Sequence, residues 1–121
     1  MIKCGIDSIE LERLTHLNPA IRERFLIRVF TPTELDQAWD RNDFLTSLFA
    51  VKEAVLKALG TGIGHVAWKD IEVIHLPSGE PTVTLHGNAL IIAEEKGLVD
   101  WSVSITHDRT KAVAIAIGSS K

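Results

Sequence analysis

The sequence predicts an α+β domain of mainly antiparallel strands around one long central helix, and three observations carry that reading. Segments with two-residue apolar alternation stand at the start of the chain and again as two close pairs further on, each pair joined by a short polar turn. One stretch, residues 43–59, has the apolar spacing of a helix and stops at Gly60. Strands and helices do not alternate in the regular way that builds a doubly wound parallel sheet. With 121 residues, 45% of them hydrophobic, the chain has material for one ordinary core, so residues 1–121 are expected to form a single domain.

Each element has its own signal. From Met1 to Ser8, Ile2, Cys4 and Ile6 alternate with Lys3, Gly5 and Asp7, which predicts a half-buried strand with Asp7 at its end. Ile9, Leu11 and Leu14 are expected to begin a short helix that breaks at Asn18-Pro19, and residues 20–29 read as a second helix in which Arg24 and Arg28 share a face. Thr31-Pro32-Thr33-Glu34 combines a capping hydroxyl, a proline at the first helical position and a glutamate three residues after the cap, which starts a helix running to about Trp39. In the long helix, Leu45, Leu48, Val55, Leu56 and Leu59 form one apolar stripe with Phe49 at its margin. Residues 71–76 and 81–86 predict a hairpin closed by Pro77-Ser78-Gly79-Glu80, residues 88–96 a helix ended by Gly97, and residues 101–106 and 112–117 a second hairpin.

Composition narrows the function. Thirteen Lys and Arg against sixteen Asp and Glu leave no broad basic face for nucleic acid. A single cysteine, Cys4, excludes an internal disulfide framework, and the N-terminus lacks the apolar run of a signal peptide or membrane span, so a cytoplasmic protein without membrane attachment is expected. Five scattered histidines offer no zinc cluster, and no Gly-Lys-Ser/Thr follows a glycine-rich turn. At this size a pocket deep enough for a large ligand forms more readily between subunits than within one, so oligomerisation is expected.

Three features could carry chemistry, and each also has an ordinary reading. Asp7 could simply initiate a helix at the end of its strand. Glu53 and Lys57, four residues apart, could be a surface ion pair. Gly60-Thr61-Gly62-Ile63-Gly64 could be a helix end and its connection. Together, two carboxylates from distant elements with lysines nearby are materials for holding a hard divalent cation against a pyrophosphate, since magnesium takes one or two protein carboxylates and completes its shell with water and phosphate oxygens. Lys52 stands inside the apolar stripe. Either its ammonium snorkels to water or that face borders a ligand site or a neighbouring subunit.

Gly5-Ile6-Asp7-Ser8-Ile9-Glu10-Leu11-Glu12-Arg13, Phe49-Ala50-Val51-Lys52-Glu53-Ala54-Val55-Leu56-Lys57-Ala58-Leu59-Gly60-Thr61-Gly62 and Val103-Ser104-Ile105-Thr106-His107 resemble, in order, the three signatures of the holo-acyl carrier protein synthase family. The resemblance implies the 4'-phosphopantetheinyl transferase fold of the small trimeric type. It also implies transfer of 4'-phosphopantetheine from coenzyme A to a serine of an apo acyl carrier protein, with release of adenosine 3',5'-bisphosphate, in support of fatty acid or polyketide synthesis. Asp7 and Glu53 would hold Mg2+, Lys57 would stabilise charge on the phosphates, and the serine proton would pass to Glu53 directly or through a metal-held water. Lys52, Lys57, Gly60, Gly79, Pro81, Ser104 and His107 would contact coenzyme A, with active sites at the subunit junctions of a homotrimer. Arg13, Arg22, Arg24 and Arg28 would dock the acidic carrier, diluted by Glu12 and Glu23. The chain departs from the family at Thr46-Ser47-Leu48, where Leu48 replaces a usual arginine near the coenzyme A phosphates. Leu48 is the sole feature that supports a non-catalytic binding module. The chain is too short for the two half-domains of the surfactin-synthetase-activating type.

Overall fold

The computed structural model describes residues 1–121. A three-stranded antiparallel sheet has the order β1-β5-β4, where β1 is Ile2–Glu10, β4 Asp100–His107 and β5 Lys111–Ser119. A separate antiparallel hairpin pairs β2, Ile71–His75, with β3, Pro81–Leu85. The helices are α1, Pro19–Val29; α2, Pro32–Ala38; α3, Asn42–Leu59; and α4, Gly87–Glu95. The α+β class and the order of the elements agree with expectation.

Helix α3 packs on the sheet over the seam between β1 and β5, and small residues set how closely it approaches. On β5 the inward positions are Ala112, Ala114, Ala116 and Gly118, the first three completely buried. On β1 the critical residue is Gly5. A Cβ placed there would lie 2.0 Å from the carbonyl oxygen of Ala54, 2.8 Å from the amide nitrogen of Ala58 and 2.9 Å from Cβ of Lys57, so the strand backbone meets the helix backbone directly. From its other side, α3 inserts Leu45, Leu48, Val51, Val55 and Leu59 into a cluster that includes Val29, Phe30, Ile71 and Val73. Each such large aliphatic side chain stabilises the fold by roughly 1.5–3 kcal/mol through removal from water.

The local signals operate as chemistry requires. Thr31 and Glu34 form the reciprocal capping box of α2. Gly60 ends α3 at φ 72°, in the left-handed region that closes a helix without a Cβ clash. The expectation for residues 7–14 needs correction. Asp7 is not at the end of its strand: β1 continues through Glu10, Ile9 faces inward opposite Ala112, and residues 11–17 are turns, not a helix. Pairing with β5 satisfies the backbone of Ser8 to Glu10 and buries Ile9, which outweighs the helical spacing of Ile9, Leu11 and Leu14. Helix α2 ends where expected, at Ala38 with Trp39 as its C-cap at φ 51°.

Candidate active site

The close approach at Gly5 brings together three side chains distant in sequence. Asp7, two residues beyond Gly5 on the inward face of β1, is buried and opposes Ala114 of β5. Glu53 and Lys57 project from the adjoining turns of α3. Lys57 Nζ lies 3.1 Å from Asp7 Oδ1 and donates to the Ile6 carbonyl at 2.9 Å. Lys57 is therefore turned to the strand and does not form the Glu53–Lys57 surface pair considered from spacing alone.

The second oxygen of Asp7, Oδ2, is buried and has no donor. Glu53 is its neighbour, and the Glu53 carboxyl is pushed up to about 7, chiefly by burial and then by the hydrogen bond and negative charge of Asp7, with Arg13 and Lys57 pulling the other way. Two carboxylates are both acceptors, so this hydrogen bond exists only while a proton sits between them. Lys57 already offsets part of the charge on Asp7, and a proton on Glu53 or a cation would relieve the remaining repulsion. The donor set is two hard oxygens with open space beyond, and no group of three or more His, Cys, Asp or Glu side chains converges into a closed metal cage. These residues fit a magnesium ion that draws its remaining ligands from water and phosphate.

A cavity of about 300 Å³ opens at the other end of α3, walled by Arg41, Asp43, Phe44 and Ser47, by His75 and the β2–β3 turn, and by the end of β4. Gly79, Pro81, Ser104 and His107, expected at a common ligand site, all line it. Arg41, Phe44, Ser47 and His75 join them without a signal in the motifs. Phe44 stands about 20° from Val55, at the margin of the apolar stripe of α3, so spacing did not single it out; the others needed the hairpin to be folded against the helix.

Lys52 and Gly60, also expected to contact coenzyme A, do not line this cavity. Lys52 is completely buried: Nζ lies 2.9 Å from Glu34 Oε1, itself fully buried, and donates to the carbonyls of Trp68 at 3.1 Å and of Ile71. It neither snorkels nor borders a ligand site, because the stripe on which it stands faces α2 and β2. Gly60 lies at the end of α3 remote from the cavity, where it stops the helix. The basic residues also divide. Arg22 is held by Asp40 at 3.0 Å and by Asn42 at 2.7 Å, which ties α1 to the start of α3. Arg24 and Arg28 are exposed on α1 beside exposed Ile21 and Ile27, and Arg13 is exposed with its guanidinium 5.3 Å from the centre of the Phe49 ring.

A buried and a half-buried carboxylate with a lysine, set where a helix crosses an antiparallel sheet, make an arrangement for phosphate chemistry with a divalent cation. Residues 3–117 match the model of the 4'-phosphopantetheinyl transferase superfamily. The chain is 42% identical to the holo-acyl carrier protein synthase of Natranaerobius thermophilus, over 97% of this chain and 96% of that one. Against the same enzyme of Carboxydothermus hydrogenoformans the identity is also 42%, covering 97% of each. The crystal structure of the Neisseria meningitidis holo-acyl carrier protein synthase superposes with a TM-score of 0.87 at 32% identity, covering 98% of this chain and 99% of that one. The Helicobacter pylori synthase in complex with coenzyme A gives 0.85 at 30% identity, covering 98% and 100%. The chain belongs to the 4'-phosphopantetheinyl transferase superfamily and, within it, groups with the holo-acyl carrier protein synthases.

Proposed function

We propose that this protein is a magnesium-dependent holo-acyl carrier protein synthase, which transfers 4'-phosphopantetheine from coenzyme A to a serine of an apo acyl carrier protein and releases adenosine 3',5'-bisphosphate. The observation that carries the reading is the Asp7–Glu53–Lys57 arrangement, with one buried carboxylate oxygen lacking a donor and a neighbouring carboxyl balanced near neutrality. Asp7 and Glu53 would hold Mg2+, which when bound supplies positive charge to the pyrophosphate of coenzyme A. Lys57 sits where its ammonium can add to that charge as negative charge gathers on the leaving bisphosphate. In the reaction the serine oxygen bonds to the phosphorus that bears pantetheine, the bond from that phosphorus to the bridging oxygen breaks, and the serine proton leaves. Glu53 would take that proton, directly or through a water.

The cavity walled by Gly79, Pro81, Ser104 and His107 would receive the nucleotide end of coenzyme A. Ser47 on its wall and Glu53 are six residues apart on α3, which sets them roughly 120° apart around the helix axis. Carboxylates and cavity thus open in different directions, which favours sites completed by a second copy of the chain. The outer face of the sheet supports such assembly: Ile2 and Ile6 on β1 and Ile115 and Ile117 on β5 are all exposed, with Val113 and Cys4 among them, an apolar surface suited to the homotrimer. Arg13, Arg24 and Arg28 would meet the acidic carrier, with Ile21 and Ile27 giving that face an apolar component. No helix is long and apolar enough to cross a membrane; coenzyme A and a carrier protein as substrates would put the reaction in the cytoplasm.

The test is intact-mass spectrometry of an apo acyl carrier protein after incubation with the enzyme, coenzyme A and Mg2+. Addition of one phosphopantetheinyl group by the wild type, absent with Asp7→Ala, with Glu53→Ala and with EDTA, is the expected result. Coenzyme A binding without transfer to any of several carriers would replace this reading with that of a binding module.

A further inference from the structure

Helix α4 is short and turns apolar side chains to water. Ala89 and Ala93 are its buried contacts, whereas Leu90 and Ile91 are exposed, at positions where a solvated helix would carry polar groups. Beside Leu90 a groove of about 420 Å³ runs between α4, β3 and the start of β4, walled by Val83, Leu85, Leu98, Val99 and Trp101, with Glu94 joining them. Trp101 pairs with Gly118 of β5, and its ring lies where a Gly118 Cβ would meet it at 2.8 Å. The groove therefore opens on the inward side of β4, away from the outer sheet face of Ile115 and Ile117. Contiguous apolar surface left in water marks a docking site, and the charges around it define the partner. At 100° per residue, Leu90, Glu94, Ile91 and Glu95 succeed one another across about 140° of α4. Lys96, next in the chain, donates to the Leu59 carbonyl and is taken up by the end of α3. An occupant of this face needs apolar side chains flanked by cations. One such surface stands on the chain itself: Ile27, Arg24, Arg28 and Ile21, all exposed, follow one another across about 120° of α1. Glu23 is the single acid of that helix. None of Arg24, Arg28, Glu94 and Glu95 forms an ion pair within the chain.

We infer that α4 and its groove dock α1 of a second copy of the chain, with Leu90, Ile91 and the groove receiving Ile21 and Ile27 while Glu94 and Glu95 meet Arg24 and Arg28. Apolar contact supplies the adhesion, and the opposed charges fix which surfaces meet. The two patches differ and both lie off the outer sheet face, so this contact joins assemblies already built through that face. Docking stands on the two surfaces alone; its consequence, that a docked α1 is closed to the carrier, rests on the proposed function.

The experiment is sedimentation velocity of the full chain across protein concentration, at low and at high salt. It compares the wild type, Glu94→Lys with Glu95→Lys, Arg24→Glu with Arg28→Glu, and an equal mixture of the two double variants. The wild type should gain mass with concentration beyond its basal assembly and lose that gain at high salt, where charge is screened within a few ångströms. Reversing two charges on either face should weaken the association by roughly tenfold or more, because attractions between exposed groups become repulsions. The mixture should recover it: the first variant keeps a basic α1 for the acidic α4 of the second, and offers a basic α4 to its acidic α1. All four positions are exposed, so both variants should melt as the wild type does. Association lost in both variants and not recovered in their mixture overturns the assignment, as does association that only one of the two reversals disturbs. A wild type whose mass does not change with concentration overturns a second copy as the occupant and leaves the groove to a basic segment of another protein.

Discussion

Replacing Lys52 by methionine tests whether the lysine inside the long helix is part of the framework. Its Nζ is matched by Glu34 Oε1 at 2.9 Å and by the carbonyls of Trp68 and Ile71, with the Phe30 ring centre 5.6 Å away. Glu34 in turn accepts from the backbone of Thr31 and of Val73, each at 2.8 Å, so the pair joins α2, α3 and β2. Burial lowers the Lys52 pKa, and the charge and hydrogen bond of Glu34 oppose that effect. Methionine fills the same space but leaves a buried carboxylate with two N–H donors and no cation. Breaking a buried pair from one side costs about 3–5 kcal/mol. Against a total stability on the order of 6–18 kcal/mol for a domain of this length, that is a large fraction. With unfolding entropies typical of globular proteins, each kcal/mol lowers the melting temperature by about 4 °C here, so thermal unfolding at fixed protein concentration should fall by about 12–20 °C. Adding Glu34→Gln should recover part of the loss, and coenzyme A affinity below the transition should stay within about twofold of wild type, a change worth well under 1 kcal/mol. A melting temperature within about 3 °C of wild type, less than 1 kcal/mol here, together with a large drop in coenzyme A affinity, would refute the structural role and return Lys52 to the ligand site.

Gly5→Ala places a methyl group 2.0 Å from the Ala54 carbonyl, so α3 must lift off β1; destabilisation of at least about 3 kcal/mol and loss of carrier modification are expected by denaturant titration and mass spectrometry. In the absence of divalent cation, Glu53 binds its proton more tightly in the folded protein, at about 7 against an ordinary 4.5, so stability is greatest below that window and declines as pH rises through it. Because Glu53 is partly exposed, the decline should be no more than about 1 kcal/mol, visible in melting curves taken in EDTA and flattened by Glu53→Gln. The same competition makes apparent Mg2+ affinity rise with pH up to about 7 and then level off, as calorimetry across pH would record. Ile115→Lys puts a charge into the outer sheet face and should give a monomer in analytical ultracentrifugation with little transferase activity; a trimer that survives the change would move the interface elsewhere. Arg24→Glu with Arg28→Glu should raise KM for the carrier by roughly tenfold while kcat and coenzyme A binding hold, measured at low salt where charge steering is strongest.

Much of this molecule is written in local signals. The capping box at Thr31–Glu34, the glycine stop at Gly60, the two hairpins and the apolar stripe of α3 depend on neighbours a few residues away, and for that reason they were legible. Asp7, Glu53 and Lys57 were also legible as a group, because their residue types and the motifs around them resemble a known family. What composition and spacing could not give was how side chains far apart in sequence meet. Glu34 and Lys52 look like a capping glutamate and a misplaced lysine until α2 and α3 pack together and each becomes the other's buried partner. Ile9 follows helical spacing until β5 offers it a ladder, and Arg41 and His75 become one wall only when the β2–β3 hairpin folds against the start of α3. Burial and charge compensation depend on every atom that surrounds a group, and those atoms come from across the chain. The sequence by itself therefore determined most of the elements and which residues could do the chemistry; the tertiary structure decided how far β1 runs, and which charges are buried in pairs that hold the fold together.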